Sequence, residues 1–198
     1  MMKLGITGGI GSGKSYVSRL LERRGIPVYD TDAAAKRLMV EHPSVRRELM
    51  ALLGAEAYLP DGTLNRPLLA RCVFTSAVCR ARVNAIVHPR VREDFARWVA
   101  VGASGSGVVA MECAILYEAH FETEVDKVLV VSAPAEVRMR RVMERDGATE
   151  AQVKGRMAAQ MDEDERCARA DGVVLNDGCA DVEAQLEAWI AAFGGRKD

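Results

Sequence analysis

Residues Gly8-Gly9-Ile10-Gly11-Ser12-Gly13-Lys14-Ser15 fit the spacing G-x-x-x-x-G-K-[ST]. Glycines in such a run let the backbone turn in ways barred to other residues, so successive N–H groups can converge on one anion. A lysine next to the last glycine can reach the β- and γ-phosphates of a nucleoside triphosphate, and the following hydroxyl can ligate Mg²⁺. Gly9, Ile10, Gly11, Ser12, Gly13, Lys14, Ser15 and the adjoining Tyr16 are therefore expected to hold ATP, with Lys14 also acting in the reaction and Ser15 on the metal. Three further groups could do chemistry. Asp30-Thr31-Asp32 follows a short apolar run, Glu112 ends another, and Arg138, Arg141 and Arg145 share one helical face. Like charges at that spacing repel unless something anionic lies between them or neighbouring carboxylates, such as Glu136 and Glu144, relieve them. Beside a triphosphate loop, an arginine lid that stabilises a transferring phosphoryl group is the better reading.

The flanks decide whether the glycine run is more than a turn. Leu4 to Thr7 reads as a buried strand, and Val17, Leu20 and Leu21 recur at helical spacing, giving strand, loop and helix in the required order. Gly25 is placed to stop that helix after Arg24. Val28-Tyr29 is a second strand, whose carboxyl end puts Asp30 and Asp32 at the rim where ligands of open α/β sheets lie. Residues 33–101 look almost wholly helical: one helix from Pro43 or Ser44, a turn at Pro60–Thr63, one after Asn65, one from Ala77 to Val87 broken by His88-Pro89, and one carrying Val91, Phe95, Trp98 and Val99. Residues 102–107, Gly-Ala-Ser-Gly-Ser-Gly, read as a flexible connector. Strands are expected at Val108–Met111, Lys127–Val131 and Val173–Leu175, and a closing helix at Val182–Phe193. Between them lies a charge-dense helical stretch in which Thr149 and Gln152 match a capping box.

Alternating strands and helices predict an α/β fold: a five-stranded parallel sheet with helices on both faces, an inserted helical acceptor-binding lobe and a helical lid. The expected boundaries are a nucleotide-binding core of residues 1–32, 103–134 and 170–198, a lobe over 33–102 and a lid over 135–169.

Composition narrows the partners. The chain has 198 residues and a formal net charge of −1, which argues against a general nucleic-acid or membrane-binding surface. Aromatic residues make up 5%, too few for an obvious base-stacking platform. Met1-Met2-Lys3-Leu4 runs straight into the first strand, with no signal-peptide core and no span of membrane length, so a cytoplasmic protein is expected. Five cysteines without a C-x-x-C suit reduced thiols rather than a disulfide framework or a zinc site. Nothing here fixes an oligomeric state.

A phosphate loop alone serves triphosphatases, kinases and GTPases. No Asn-Lys-x-Asp guanine motif occurs, and a compact chain with a helical lobe and an arginine-rich lid suits a small-molecule kinase. At this level another acceptor, a nucleoside monophosphate among them, or a regulator that binds ATP without catalysis remains open. The residues resemble one family in particular, the dephospho-CoA kinases. Besides the loop, the likeness rests on Asp30-Thr31-Asp32, Leu64-Asn65-Arg66, Val73-Phe74, Ile86-Val87-His88-Pro89, Glu112 to Glu118, Gln160, Ala170-Asp171 and Asn176-Asp177-Gly178, in that order through nearly the whole chain. Tyr16, Ala114 and Asn65 stand where the family usually has a threonine or other small residue, a proline and an aspartate.

The resemblance implies transfer of the ATP γ-phosphoryl group to the ribose 3′-hydroxyl of dephospho-CoA, with Mg²⁺ as cofactor. It implies Asp32 as the group that orients that hydroxyl and accepts its proton, and Arg141 and Arg145 as charge neutralisers over the nucleotide. Asn176 and Gly178 would lie near the adenine, and Arg66, His88 and Glu112 would join Asp32 in contacting the acceptor.

Overall fold

The computed structural model describes residues 1–102 and 107–194. The connector expected at 102–107 falls largely on residues 103–106, outside the described residues. The chain forms two compact units, one of Met1–Asp30 with the residues from Gly102 onward, the other of Thr31–Val101.

The first unit is built on five parallel strands: β1 (Met2–Thr7), β2 (Val28–Asp30), β3 (Val108–Glu112), β4 (Lys127–Ser132) and β5 (Gly172–Leu175). Their order across the sheet is β2-β3-β1-β4-β5. β1 is central, and a strand covered on both faces must be apolar throughout, as Leu4 and Ile6, both fully buried, illustrate. On one face they pack with Val17, Leu20 and Leu21 of α1 (Lys14–Arg23) and with Val182 and Leu186 of α9 (Val182–Gly194). At Gly5 a Cβ would come within 2.7 Å of a Leu116 methyl carbon, so a side chain there would have to displace Leu116. Gly25, at φ 76°, ends α1 as expected.

Between β4 and β5 lie α6 (Ala135–Asp146), α7 (Glu150–Ala158) and α8 (Glu163–Ala168). α7 carries the full capping box: the Gln152 N–H donates to the Thr149 hydroxyl, and the Thr149 N–H to the Gln152 side chain.

The second unit consists of α2 (Thr31–Glu41), α3 (Pro43–Leu53), α4 (Arg66–Thr75) and most of α5 (Ala77–Gly102). Asn65 caps α4, its side-chain oxygen accepting from Leu68 N–H at 3.2 Å. Two expectations fail here. His88-Pro89 does not break the helix: α5 runs through Pro89. Proline removes one helical hydrogen bond, but Val83, Val87, Val91 and Phe95 continue one buried stripe at four-residue spacing, and their packing outweighs the lost bond. Nor are all cysteines reduced. The corner at Ser76 between α4 and α5 brings Cys72 and Cys79 together as a disulfide, with Cα atoms 5.7 Å apart, within the range a bridge requires. Among the described residues no helix is long and apolar enough to cross a membrane.

Candidate active site

The glycine loop leaves the carboxyl end of β1 and enters α1. Gly11 and Gly13 sit at φ 79° and 97°, where side chains are strained. A Cβ on Gly13 would lie 2.1 Å from the Asn176 amide nitrogen, so the loop is closed around its neighbours as well as bent. Gly13 is also the N-cap of α1, and no side chain caps that helix. Its first N–H groups therefore face outward as an anion site reinforced by the helix dipole. Lys14 folds back over the loop: its Nζ donates to Gly8 O at 2.8 Å and to Gly9 O at 3.3 Å.

Glu112 is level with Ile6 of β1 on one side and with Asp30 of β2 on the other. That register brings its carboxylate to α1, where it accepts from the Ser15 hydroxyl at 2.9 Å and from the buried Ser18 hydroxyl at 2.6 Å. Ser15 Oγ and the Glu112 carboxylate form a set of hard oxygen donors, the type Mg²⁺ takes when waters and phosphates complete its shell. Among the described residues no group of three or more His, Cys, Asp or Glu side chains could hold a metal. A Mg²⁺ carried largely by substrate phosphates needs no such cage. Ser18 was not legible as a site residue, because its only local role is on the buried face of α1.

The three arginines of α6 have three different environments. Arg141 donates to Asn176 O at 2.9 Å and lies 3.5 Å from Gly11 O, while Asn176 Nδ2 donates to Ser12 O at 2.8 Å. Arg141 and Asn176 thus bind the Gly11–Gly13 side of the loop to β5. Arg141 and Arg145 line a cleft of about 380 Å³ with Gly11, Gly13, Lys14, Ser15, Tyr16 and Arg19. Arg145 pairs with Asp146 at 2.8 Å, and that contact raises its pKa above the ordinary arginine value. Arg138, expected on the same helical face, is buried. Its Nε donates to Ala133 O, and its Nη1 lies 3.7 Å from Glu163. Burial separates it from the other two because α6 packs one side against the loop. The Asp177 carboxylate, beside Gly178, accepts from Ala180 and Cys179 N–H and is held below the usual carboxylate pKa by those bonds.

Behind Arg138 lies a network the sequence did not reveal. Arg166, whose side chain is 1% exposed, donates to Glu163 at 2.7 Å and to Met161 O at 2.8 Å, and stands 3.8 Å from Glu118. Met161 N–H donates to Glu118 at 3.1 Å. Gln160, the residue before, accepts from Ile10 N–H at 2.8 Å through its side-chain oxygen.

Asp32, Arg66 and His88 belong to the second unit. Asp32 stands exposed in the first turn of α2, two residues after the end of β2. Arg66 opens α4 and lines a cleft of about 210 Å³ with Lys36, Met39, Val40, Leu64 and Leu69. His88 does not join that cleft. It lies half-buried within α5, where burial and then the charge of Arg92 hold its imidazole below the usual histidine pKa. Sequence reasoning singled out neither Lys36 nor this cleft.

Comparisons with known proteins agree with this architecture. The family model described as dephospho-CoA kinase matches residues 2–181. A dephospho-CoA kinase of Bacteroides fragilis is 45% identical over 190 residues, covering 96% of this chain and 92% of the relative. A crystal structure of a Thermus thermophilus protein superposes with a TM-score of 0.83 at 35% identity, covering 100% of this chain and 98% of that one. A shikimate kinase of Bacteroides thetaiotaomicron, at 14% identity and a TM-score of 0.54 over 98% of each chain, shares the fold. With a match that runs from the first strand to the start of the last helix, and with the loop, its acidic strand end and its arginines in place, this chain belongs to the dephospho-CoA kinase family.

Proposed function

We propose that this protein transfers the γ-phosphoryl group of ATP to the ribose 3′-hydroxyl of dephospho-CoA, yielding coenzyme A and ADP, the final step of coenzyme A synthesis. The observation that carries the reading is the uncapped start of α1 beneath a glycine loop, with Lys14 folded over it and Ser15 bonded to Glu112. The loop from Gly9 to Tyr16 holds the phosphates through N–H groups other than those of Ile10, Ser12 and Tyr16, which donate within the protein, and Lys14 spreads the charge that builds on the β- and γ-oxygens. Arg141 and Arg145 neutralise phosphate charge over the nucleotide, and Asn176 and Gly178 border the base. Mg²⁺, on Ser15 Oγ and reached from Glu112 directly or through water, would neutralise phosphate charge and orient the oxygens. Asp32 orients the acceptor hydroxyl and takes its proton, while Arg66, His88 and Glu112 contact the acceptor. Residues 135–169 act as the lid, residues 33–102 as the acceptor lobe, and residues 1–32, 103–134 and 170–198 as the nucleotide core. A near-neutral chain suits dissolved substrates in the cytoplasm, without nucleic acid or membrane as partner; there the Cys72–Cys79 pair would meet reductants.

The test is an ADP-release assay over candidate acceptors. Turnover with dephospho-CoA, lost by about 10²-fold or more in Asp32→Asn while ATP binding persists, is the expected result. Turnover with a nucleoside monophosphate instead, or ATP binding without any acceptor-dependent turnover, refutes it.

A further inference from the structure

The two ends of the glycine loop are chemically different. The Gly11–Gly13 end is bound by Arg141 and Asn176, on the β5 side. The Gly8–Gly9 end carries the Lys14 ammonium, the group that meets the β- and γ-phosphates. On the nucleotide-binding reading above, the terminal phosphate therefore lies toward Gly8–Ile10, and there the only side chain bonded to a loop N–H among the described residues is Gln160.

The orientation of that carboxamide is fixed by chemistry. Ile10 N–H can only donate, so the oxygen of Gln160 must face it at 2.8 Å, and the NH₂ group must face away. Among the described residues that NH₂ has no hydrogen-bond partner in the protein. Its backbone is held from both sides. Gln160 N–H donates to Met157 O, and the next residue is clamped through its N–H by Glu118 and through its carbonyl by the buried Arg166. A buried arginine devoted to one peptide carbonyl and two carboxylates makes sense if the segment after α7 must be held to a fixed place. The result is a half-buried carboxamide, its acceptor committed to the loop and its donor free at the phosphoryl end. It borders a cavity of about 370 Å³ that Arg138, Met161 and Glu163 also line.

We propose that Gln160 senses the terminal phosphate: its oxygen fixes the Ile10 peptide, and its NH₂ donates to a γ-phosphoryl oxygen, so the protein distinguishes ATP from ADP at this residue. The role rests on the nucleotide-binding reading and goes beyond it, because it assigns the γ-specific contact to a residue outside the loop.

Isothermal titration of the full chain with a non-hydrolysable ATP analogue and with ADP, each with Mg²⁺, tests it. In Gln160→Met, which keeps the length but no polar atom, the analogue should bind about 10- to 100-fold more weakly, the loss expected of a hydrogen bond to a charged group. ADP, which lacks the γ group, should change less than about threefold. Gln160→Glu keeps the acceptor for Ile10 but puts negative charge in place of the donor, and should lose the analogue at least as severely. Equal losses for both nucleotides in Gln160→Met would reduce Gln160 to a loop support and overturn the assignment alone, as would wild-type affinity in Gln160→Glu. A wild-type chain that binds neither nucleotide overturns the nucleotide reading together with it.

Discussion

Replacing Arg166 by methionine should be among the costliest single changes in this chain. The guanidinium is 1% exposed, donates to Glu163 at 2.7 Å and to Met161 O at 2.8 Å, and lies 3.8 Å from Glu118. Without it, Met161 O loses its donor, and Glu163 is left facing Arg138 at 3.7 Å. Removing one member of a buried ion pair costs roughly 3–5 kcal/mol, because the remaining charge stays desolvated. The side chains of Glu163 and Glu118 are 20% and 28% exposed, so water recovers part of that, and a loss of about 3 kcal/mol is expected. For a chain of this size that corresponds to a melting point lower by roughly 6–12 °C. Urea and thermal unfolding followed by circular dichroism measure it, and Glu163→Leu with the double variant completes a cycle. The double variant should regain only part of the loss, since removing the Glu163 carboxylate strands the buried Arg138, which faces it at 3.7 Å. A single variant within about 1 kcal/mol of wild type would refute the argument, because it would mean that Arg166 carries no uncompensated partner.

Three other outcomes are expected from the same structure. Glu112→Ala should strip the buried Ser18 hydroxyl of its acceptor and cost roughly 1–3 kcal/mol in urea unfolding, with weakened binding of Mg²⁺–ATP by calorimetry. Asn65→Ala should cost about 1 kcal/mol through the lost cap of α4, read from the same unfolding curves, with Asn65→Asp close to wild type. His88 has a folded pKa below its unfolded value of about 6.5, so the unfolded chain takes up the proton first. Its contribution is undiminished above about pH 6.5 and is lost as pH falls through that value toward the lower folded pKa. Unfolding midpoints from pH 8 to 5 should therefore fall more steeply in wild type than in His88→Gln.

Local signals were read well wherever neighbouring residues settle the matter. The strand–loop–helix of residues 4–21, the Gly25 stop, the helix start after Asn65 and the Thr149–Gln152 box are all recovered, since each depends on backbone preferences and bonds within a few residues. Pro89 misled because its local cost is real, while the stripe of Val83, Val87, Val91 and Phe95 that overrides it gains its energy from packing. Cys72 and Cys79 carry no recognisable spacing, and only the corner at Ser76 makes them neighbours. Arg138, Arg141 and Arg145 look equivalent by period, yet one is buried and two line the cleft, because helical period says which face they share and not what covers it.

What the sequence determined by itself is the chemistry available: a loop able to gather N–H groups around phosphate, a lysine and a hydroxyl at fixed offsets, carboxylates at strand ends, and the family those motifs mark. What tertiary structure decided is which distant groups complete it. Glu112 meets Ser18 across 94 residues because β3 lies beside β1, and Gln160 meets Ile10 across 150 because Glu118 and Arg166 hold the chain beyond α7 in place. Such pairings arise from strand order and buried charge, which are properties of the packed chain that no short stretch of residues encodes.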